Sequence, residues 1–167
     1  CGIAYFENSG GTARANICEN NQQFGIYLAH SVQPTLEKNI CRGNRRSGIA
    51  YIGNSGGSAV GNTCEGNQQN GIYLQDRANP TLQDNICRGN QCGILYISDS
   101  GAIVRGNTCE ANSDSGIVVL FSAQPTLELN MCRANQCSGI LYATDTGGTV
   151  RMNICVDNAR DGIWVTA

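Results

Sequence analysis

Apolar residues along the chain occur in short alternating runs rather than in helical stripes. A typical run, Ile26 to Leu28, places apolar side chains two positions apart, and Leu36 follows in the next run. Gly, Asn, Pro and Ser residues separate these runs. Alternation with a period of two is typical of β-strands, and the separating residues favour turns. Because no long stretch follows the helical period, the pattern predicts an all-β protein of short strands.

Two short motifs repeat along the chain at a nearly constant spacing. A Gly-Ile dipeptide recurs every 23 residues, apart from one step of 22 residues. Its glycines are Gly2, Gly25, Gly48, Gly71, Gly93, Gly116, Gly139 and Gly162. The motif Asn-x-Cys-x-x-Asn keeps the same spacing; its first asparagines are Asn16, Asn39, Asn62, Asn85, Asn107, Asn130 and Asn153, and its cysteines are Cys18, Cys41, Cys64, Cys87, Cys109, Cys132 and Cys155. A repeat of this length built from short strands predicts a solenoid with one coil per repeat.

The fold class that follows is a single-stranded, right-handed parallel β-helix. We expect about seven coils of 23 residues, with three short strands in each coil. At the interstrand spacing of ~4.8 Å, seven coils form a rod of roughly 34 Å. Residues 1–167 are expected to form one β-helix domain. Neither end of the chain carries the polar cap that normally closes a solenoid, so we expect a segment of a longer protein.

In such a rod, residues one repeat apart lie directly above each other and form ladders. The position after the motif cysteine alternates in charge, in the order Glu19, Arg42, Glu65, Arg88, Glu110 and Arg133. Opposite charges about 5 Å apart on neighbouring coils attract, whereas a uniform column would repel. The motif asparagines are expected to hydrogen-bond amide to amide at the turns. Both columns are interpreted as structural.

The motif cysteines are expected to point into the core as small apolar residues with free thiols. Neighbouring coils place the side chains of one column on rigid strands ~4.8 Å apart, and there is no Cys-x-x-Cys motif to hold a metal ion. His30 is the only histidine. We therefore expect no metal site and no cofactor. Unpaired cysteines favour a reducing compartment such as the cytoplasm.

The two motifs resemble the repeat of the right-handed parallel β-helix family. Similar repeats occur in pectate-lyase-like proteins, in NosD-like periplasmic proteins and in F-box proteins with β-helix repeats. In that family the third motif position is usually Ile or Val, where this chain has Cys. The resemblance covers essentially the whole chain and implies the fold. It leaves activity open, because the family includes lyases, hydrolases, epimerases and non-catalytic scaffolds.

The residue after each Gly-Ile dipeptide is expected to point outward if the isoleucine points inward. Most of this column is apolar or aromatic, which is unusual for a surface. The candidate binding residues in it are Tyr27, Tyr73, Leu95, Val118, Leu141 and Trp164. Tyr27 and Tyr73 are two coils apart, about 9.6 Å, a spacing compatible with stacking on sugars of an extended glycan. The alternative is that these residues simply favour strands.

Composition and charge narrow the functional classes. A net charge of −2 with 14% charged residues offers no basic patch for nucleic acid, and no apolar run is long enough for a membrane span. The aspartates are scattered, so we assign no catalytic residues. The sequence favours a non-catalytic module that binds a protein or a polysaccharide, with self-association through the open ends or the apolar column as a further possibility. The alternative is a carbohydrate-active enzyme of the lyase, hydrolase or epimerase type whose catalytic residues lie partly outside this segment.

Overall fold

The computed structural model describes residues 1–143 and 145–166, which form a right-handed parallel β-helix of about seven coils. Three parallel sheets enclose the core. Sheet A contains β1 (Ile3–Tyr5), β4 (Ile26–Ala29), β7 (Ile49–Ile52), β10 (Ile72–Gln75), β13 (Ile94–Tyr96), β16 (Ile117–Val119), β19 (Ile140–Tyr142) and β22 (Ile163–Val165). Sheet B contains β2 (Thr12–Arg14), β5 (Thr35–Glu37), β8 (Ser58–Val60), β11 (Thr81–Gln83), β14 (Ile103–Arg105), β17 (Thr126–Glu128) and β20 (Thr149–Arg151). Sheet C contains β3 (Ile17–Glu19), β6 (Ile40–Arg42), β9 (Thr63–Glu65), β12 (Ile86–Arg88), β15 (Thr108–Glu110), β18 (Met131–Arg133) and β21 (Ile154–Val156).

Each coil contributes one strand to each sheet, so we number the coils 1 to 7 from β1, and β22 begins coil 8. Residues one repeat apart pair directly, as Cys41 does with Cys18 on one side and with Cys64 on the other. Where the sequence step is 22 residues, Ile72 pairs with Ile94, so the register is kept. The predicted fold class of three strands per coil is confirmed.

The core is packed from columns of complementary size. On sheet A, the inward position after the buried isoleucine alternates between tyrosine and an aliphatic residue, as in Tyr51 and Leu74. The inward residue of sheet B is Ala59 in the coil of Tyr51 and Leu82 in the coil of Leu74. All four side chains are fully buried. On coils 1 and 3 a large tyrosine of sheet A thus shares its coil with an alanine of sheet B, whereas the tyrosines of coils 5 and 7 share theirs with Val104 and Val150. On coils 1 and 3 the small residue offsets the volume of the large one.

Glycine precedes the first strand of each coil because the chain passes very close to the cysteine column there. A Cβ added at Gly48 would lie 2.8 Å from the carbonyl oxygen of Gly71 and 2.8 Å from the Sγ of Cys64. A Cβ at Gly71 would meet the Gly93 carbonyl at 2.6 Å in the same way. The Gly-Ile and cysteine motifs thus recur together since both positions must be small.

The motif asparagines form the expected amide ladders, which confirms that prediction. In the middle of one ladder, the side-chain Nδ2 of Asn62 donates to Oδ1 of Asn85 at 2.9 Å and to the carbonyl of Leu36 at 2.9 Å. The backbone N–H of Asn62 also donates to Oδ1 of Asn85, at 2.9 Å. The second motif asparagines, for example Asn44 and Asn67, form a parallel ladder. These buried amides satisfy the turn backbone of every coil.

The charged column beside the cysteines is divided into discrete pairs. Each arginine bonds the glutamate of the preceding coil: Arg42 to Glu19 at 2.6 Å, Arg88 to Glu65 at 2.7 Å and Arg133 to Glu110 at 2.6 Å. The arginines are about half exposed, so solvent screens each pair and its contribution to stability is small. The ladder therefore follows the two-coil unit and is a structural feature of sheet C.

Candidate functional site

The outward surface of sheet A is a checkerboard of large and small side chains. One column holds the positions after the isoleucines, and a second column lies two residues further along each coil. On coils 1 to 4 the first column reads Ala4, Tyr27, Ala50 and Tyr73, and the second reads Phe6, Ala29, Ile52 and Gln75. Large residues lean over small neighbours, so Ala50 and Ala29 are buried at 0% and 1% exposure. The surface therefore has raised and recessed positions and is not flat.

A groove of about 310 Å³ opens in this surface across coils 2 to 4. Tyr27 contributes to it from coil 2 and Tyr73 from coil 4, with the buried Ala50 between them in the same column. The other residues that line it are Phe24, Arg46, Ile52, Gln69 and Gln75. We name this site the aromatic groove. The structure thus brings the two tyrosines singled out by the sequence into one concave site.

The coil 2 side of the aromatic groove is a packed cluster of rings. Phe24 and Tyr27 stack with ring centroids 5.2 Å apart and an interplanar angle of 22°. Phe6 of coil 1 packs against Tyr27 with a centroid distance of 5.6 Å. The guanidinium carbon of Arg46 lies 5.5 Å from the centroid of the Phe24 ring, which is within cation–π distance. These contacts order Tyr27 before any ligand arrives, which lowers the entropic cost of binding.

The coil 4 side of the aromatic groove is more polar. The hydroxyl of Tyr73 donates a hydrogen bond to the side-chain oxygen of Gln75. Burial, followed by the negative charge of Asp76, raises the pKa of Tyr73 above its ordinary value. Tyr73 is therefore neutral at physiological pH. The amides of Gln69 and Gln75 supply both donors and acceptors to the same space.

Two polar depressions adjoin the aromatic groove, one at each end of the sheet A strands. The first, of about 350 Å³, lies where sheet C turns into sheet A and is lined by Gln22, Gln23, Arg45, Arg46, Gln68 and Gln69. The second, of about 280 Å³, lies where sheet A turns into sheet B and is lined by Gly53, Asn54, Asp76, Arg77, Ser98 and Asp99. We name them the arginine corner and the aspartate corner.

The other candidate residues of the sequence column lie outside the aromatic groove. Val118 is only 5% exposed because its vertical neighbours Leu95 and Leu141 cover it. Trp164 is 40% exposed and lies on β22, six coils from Tyr27, or about 29 Å along the rod. The column therefore divides into a part on coils 2 to 4, which lines the aromatic groove, and a part beyond it that consists of Leu95, Val118, Leu141 and Trp164.

Sequence reasoning missed the contribution of the corner that precedes each Gly-Ile dipeptide. Phe24, Arg46 and Gln69 lie one or two positions before their glycines and still line the aromatic groove. Because a turn residue has no fixed alternation, the period of two cannot assign its direction. The signal available in the sequence is composition, since one aromatic ring, two arginines and several amides occur together at this corner.

No reactive or metal-binding constellation accompanies the groove. Among residues 1–143 and 145–166, no group of three or more His, Cys, Asp or Glu side chains is placed to hold a metal ion. All ten cysteines are free thiols. Burial, followed by the charge of Asp114, raises the pKa of Cys92 to about 12, so that thiol is protonated and a poor nucleophile at neutral pH. In the same described ranges, no helix has the length and apolarity needed to cross a membrane.

Comparison with known proteins identifies the family. The sequence model of a family described as right handed beta helix region matches residues 1–73 and 50–167, which together span the chain. The chain therefore belongs to this family, as its repeat motifs predicted. No curated protein and no solved structure matches the chain.

Proposed function

We propose that this chain is a non-catalytic β-helix module that binds a polysaccharide in the aromatic groove. The observation that carries the proposal is that Tyr27 and Tyr73, from coils 2 and 4, line one concave site together with Gln69 and Gln75. Aromatic faces pack against the apolar C–H faces of sugar rings, and side-chain amides bond their hydroxyl groups. A volume of about 310 Å³ falls within the range of small-ligand sites, roughly 300–1,000 Å³.

The position of the groove within the sheet favours a glycan over an extended peptide. Strand β7 is hydrogen-bonded to β4 on one side and to β10 on the other, so its backbone is already paired. A peptide that added itself as a further strand would need a free sheet edge. Side chains must therefore supply the whole recognition, and those present are suited to rings that carry hydroxyl groups.

The composition of the aromatic groove supports a binding role over a hydrolytic one. Hydrolysis of a glycosidic bond needs an acid and a base that converge on one bond. The described residues that line the aromatic groove include no Asp, Glu or His. A binding role needs none.

The test is a glycan array followed by isothermal titration with the best ligand, with wild type, Tyr27→Ala, Tyr73→Ala and Trp164→Ala. Trp164→Ala is the matched control, because it removes an exposed aromatic ring of the same column outside the groove. We expect each tyrosine variant to weaken binding about tenfold, which is roughly 1.4 kcal/mol, and the control to bind as wild type. Products released from pectin- or alginate-like polymers would contradict the proposal, as would equal binding by all four proteins.

A further inference from the structure

Three depressions lie in a row across sheet A, and we refer to them together as the trough. The arginine corner and the aromatic groove share Arg46 and Gln69 as lining residues. At the other end, Ile52 and Gln75 of the groove are followed directly in the chain by Gly53 and Asp76 of the aspartate corner. The trough thus follows the strand direction of coils 3 and 4 across the rod. A fully extended chain from residue 45 to residue 54 would span about 30 Å, which is an upper bound on the length of the trough.

The two ends of the trough carry opposite charge. Arg45 and Arg46 are exposed at the arginine corner, and no described carboxylate pairs with either of them. This contrasts with the arginines of sheet C, which bond a glutamate of the preceding coil. The side chain of Arg45 donates from Nη1 to Oε1 of Gln22 at 3.3 Å.

The aspartate corner presents the complementary pattern. Its lining includes the carboxylates of Asp76 and Asp99 and one cation, Arg77. All three are exposed. A ligand in the trough therefore meets cations at one end, aromatic and amide groups at the centre, and net negative charge at the other end.

We propose that the ligand is a linear oligosaccharide that crosses the rod perpendicular to its axis, with an acidic sugar at the arginine corner and a neutral or amino sugar at the aspartate corner. This inference rests on the proposed function. It adds the direction in which the ligand lies and the distribution of charge along the ligand. An acidic group near Arg45 and Arg46 gains charge-assisted hydrogen bonds. A carboxylate on every sugar would place like charge against Asp76 and Asp99, which opposes binding. A glycan laid along the axis would leave the aromatic groove at Leu95, which does not line it.

Three hexasaccharides of different charge test the inference. The probes are a hyaluronan hexamer, in which acidic and N-acetylated sugars alternate, the neutral cellohexaose, and hexagalacturonate, which has a carboxylate on every sugar. Measured by titration at low ionic strength, hyaluronan hexamer is expected to bind at least fivefold more tightly than hexagalacturonate. The difference is expected to shrink as salt screens the charges.

Two variants separate the ends of the trough. R45Q is expected to weaken binding of the hyaluronan hexamer at least threefold and to leave cellohexaose unchanged, whereas K38Q, which removes an exposed cation outside the trough, changes neither. The double variant D76N/D99N is expected to bind hexagalacturonate at least threefold more tightly than wild type. Thermal unfolding curves check that the variants are folded.

The possible results distinguish the inference from the proposed function. Tightest binding of hexagalacturonate, or an equal effect of R45Q on charged and neutral hexamers, would overturn the inference while glycan binding stands. No binding of any glycan on the array or of any hexamer would overturn both. If the wild type binds an acidic peptide but no glycan, and Tyr73→Ala loses that binding, both would be overturned as well.

Discussion

Asn39 donates twice to the same oxygen of Asn62: its backbone N–H and its side-chain Nδ2 both lie 2.9 Å from Oδ1 of Asn62. The second Nδ2 proton of Asn39 goes to the carbonyl of Ala13, also at 2.9 Å. Both asparagines are fully buried. Every step of the ladder therefore depends on the step above it, and the coils are joined by side chains as well as by sheet hydrogen bonds.

Loss of a central ladder amide is expected to be costly. In Asn62→Ala, the buried N–H and one Nδ2 proton of Asn39 lose their acceptor, and the carbonyl of Leu36 loses its donor. Each unsatisfied buried group costs about 1–3 kcal/mol, so we expect a loss of at least about 3 kcal/mol in the free energy of unfolding. Asn16→Ala is the control, because Asn16 lies at the end of the ladder and is only partly buried. Urea unfolding that gives equal losses for both variants would contradict this account of the ladder.

The corner between sheets A and B is expected to be sensitive at Gly57. This residue has a φ of 82°, and a Cβ there would overlap the carbonyl oxygen of Pro34 in the preceding coil. Gly66 has a φ of 58° and no atom within 4 Å of its ideal Cβ. Both alanine variants are destabilised by about 1 kcal/mol because of the left-handed backbone, but only Gly57→Ala also forces the coils apart. Its midpoint of urea unfolding should fall well below that of Gly66→Ala, and identical midpoints would show that the close approach is absent.

A buried hydroxyl in the core offers a stabilising substitution. The Tyr96 side chain is fully buried, and its hydroxyl has no hydrogen-bond partner among the described residues. Removing an unsatisfied buried hydroxyl is expected to stabilise the fold by about 1 kcal/mol, so Tyr96→Phe should unfold at a higher temperature than wild type. Tyr5 occupies the same column on coil 1 and is partly exposed, so Tyr5→Phe should have little effect. A destabilised Tyr96→Phe would mean that the hydroxyl is bonded.

The pH dependence of stability is expected to appear on the alkaline side. Burial raises the pKa of Tyr142 to about 12, and burial with the charge of Asp114 raises that of Cys92 to about 12. These groups are neutral when protonated, so the folded chain retains protons that the unfolded chain releases near about pH 8.5 for Cys and about pH 10 for Tyr. Their contribution is fully present below those values and is lost as pH rises toward about 12, by at most about 1.4 kcal/mol per pH unit and group.

Urea unfolding between about pH 7 and about pH 12 checks this sign. Wild type should lose stability steadily above about pH 8.5, and Tyr142→Phe should lose less than wild type above about pH 10. A stability that rises across this range would contradict the burial of the two groups.

The sequence predicts the fold more completely than it predicts the candidate site. The ladder positions could be assigned residue by residue, because stacking forces equivalent residues into contact and only certain residue types tolerate it, as Asn62 and Gly48 illustrate. The outward direction of Tyr27 and Tyr73 could also be predicted, since alternation fixes the face of a strand residue. That of Arg46 and Phe24 could not, because corner residues follow no period and their direction depends on how each turn folds. The concavity at Ala50 arises from the relative size of neighbouring columns, which becomes visible only when the coils are stacked.

We propose that ligand binds in the aromatic groove of coils 2 to 4 and not along the whole column. The most direct test is a titration of the isotopically labelled chain with the best-binding hexasaccharide, followed through backbone amide chemical shifts. Shifts confined to the neighbourhood of Arg46, Ile52, Gln69 and Tyr73 are the predicted result. Shifts centred on Leu141 and Trp164, or spread evenly from coil 1 to coil 8, would contradict it.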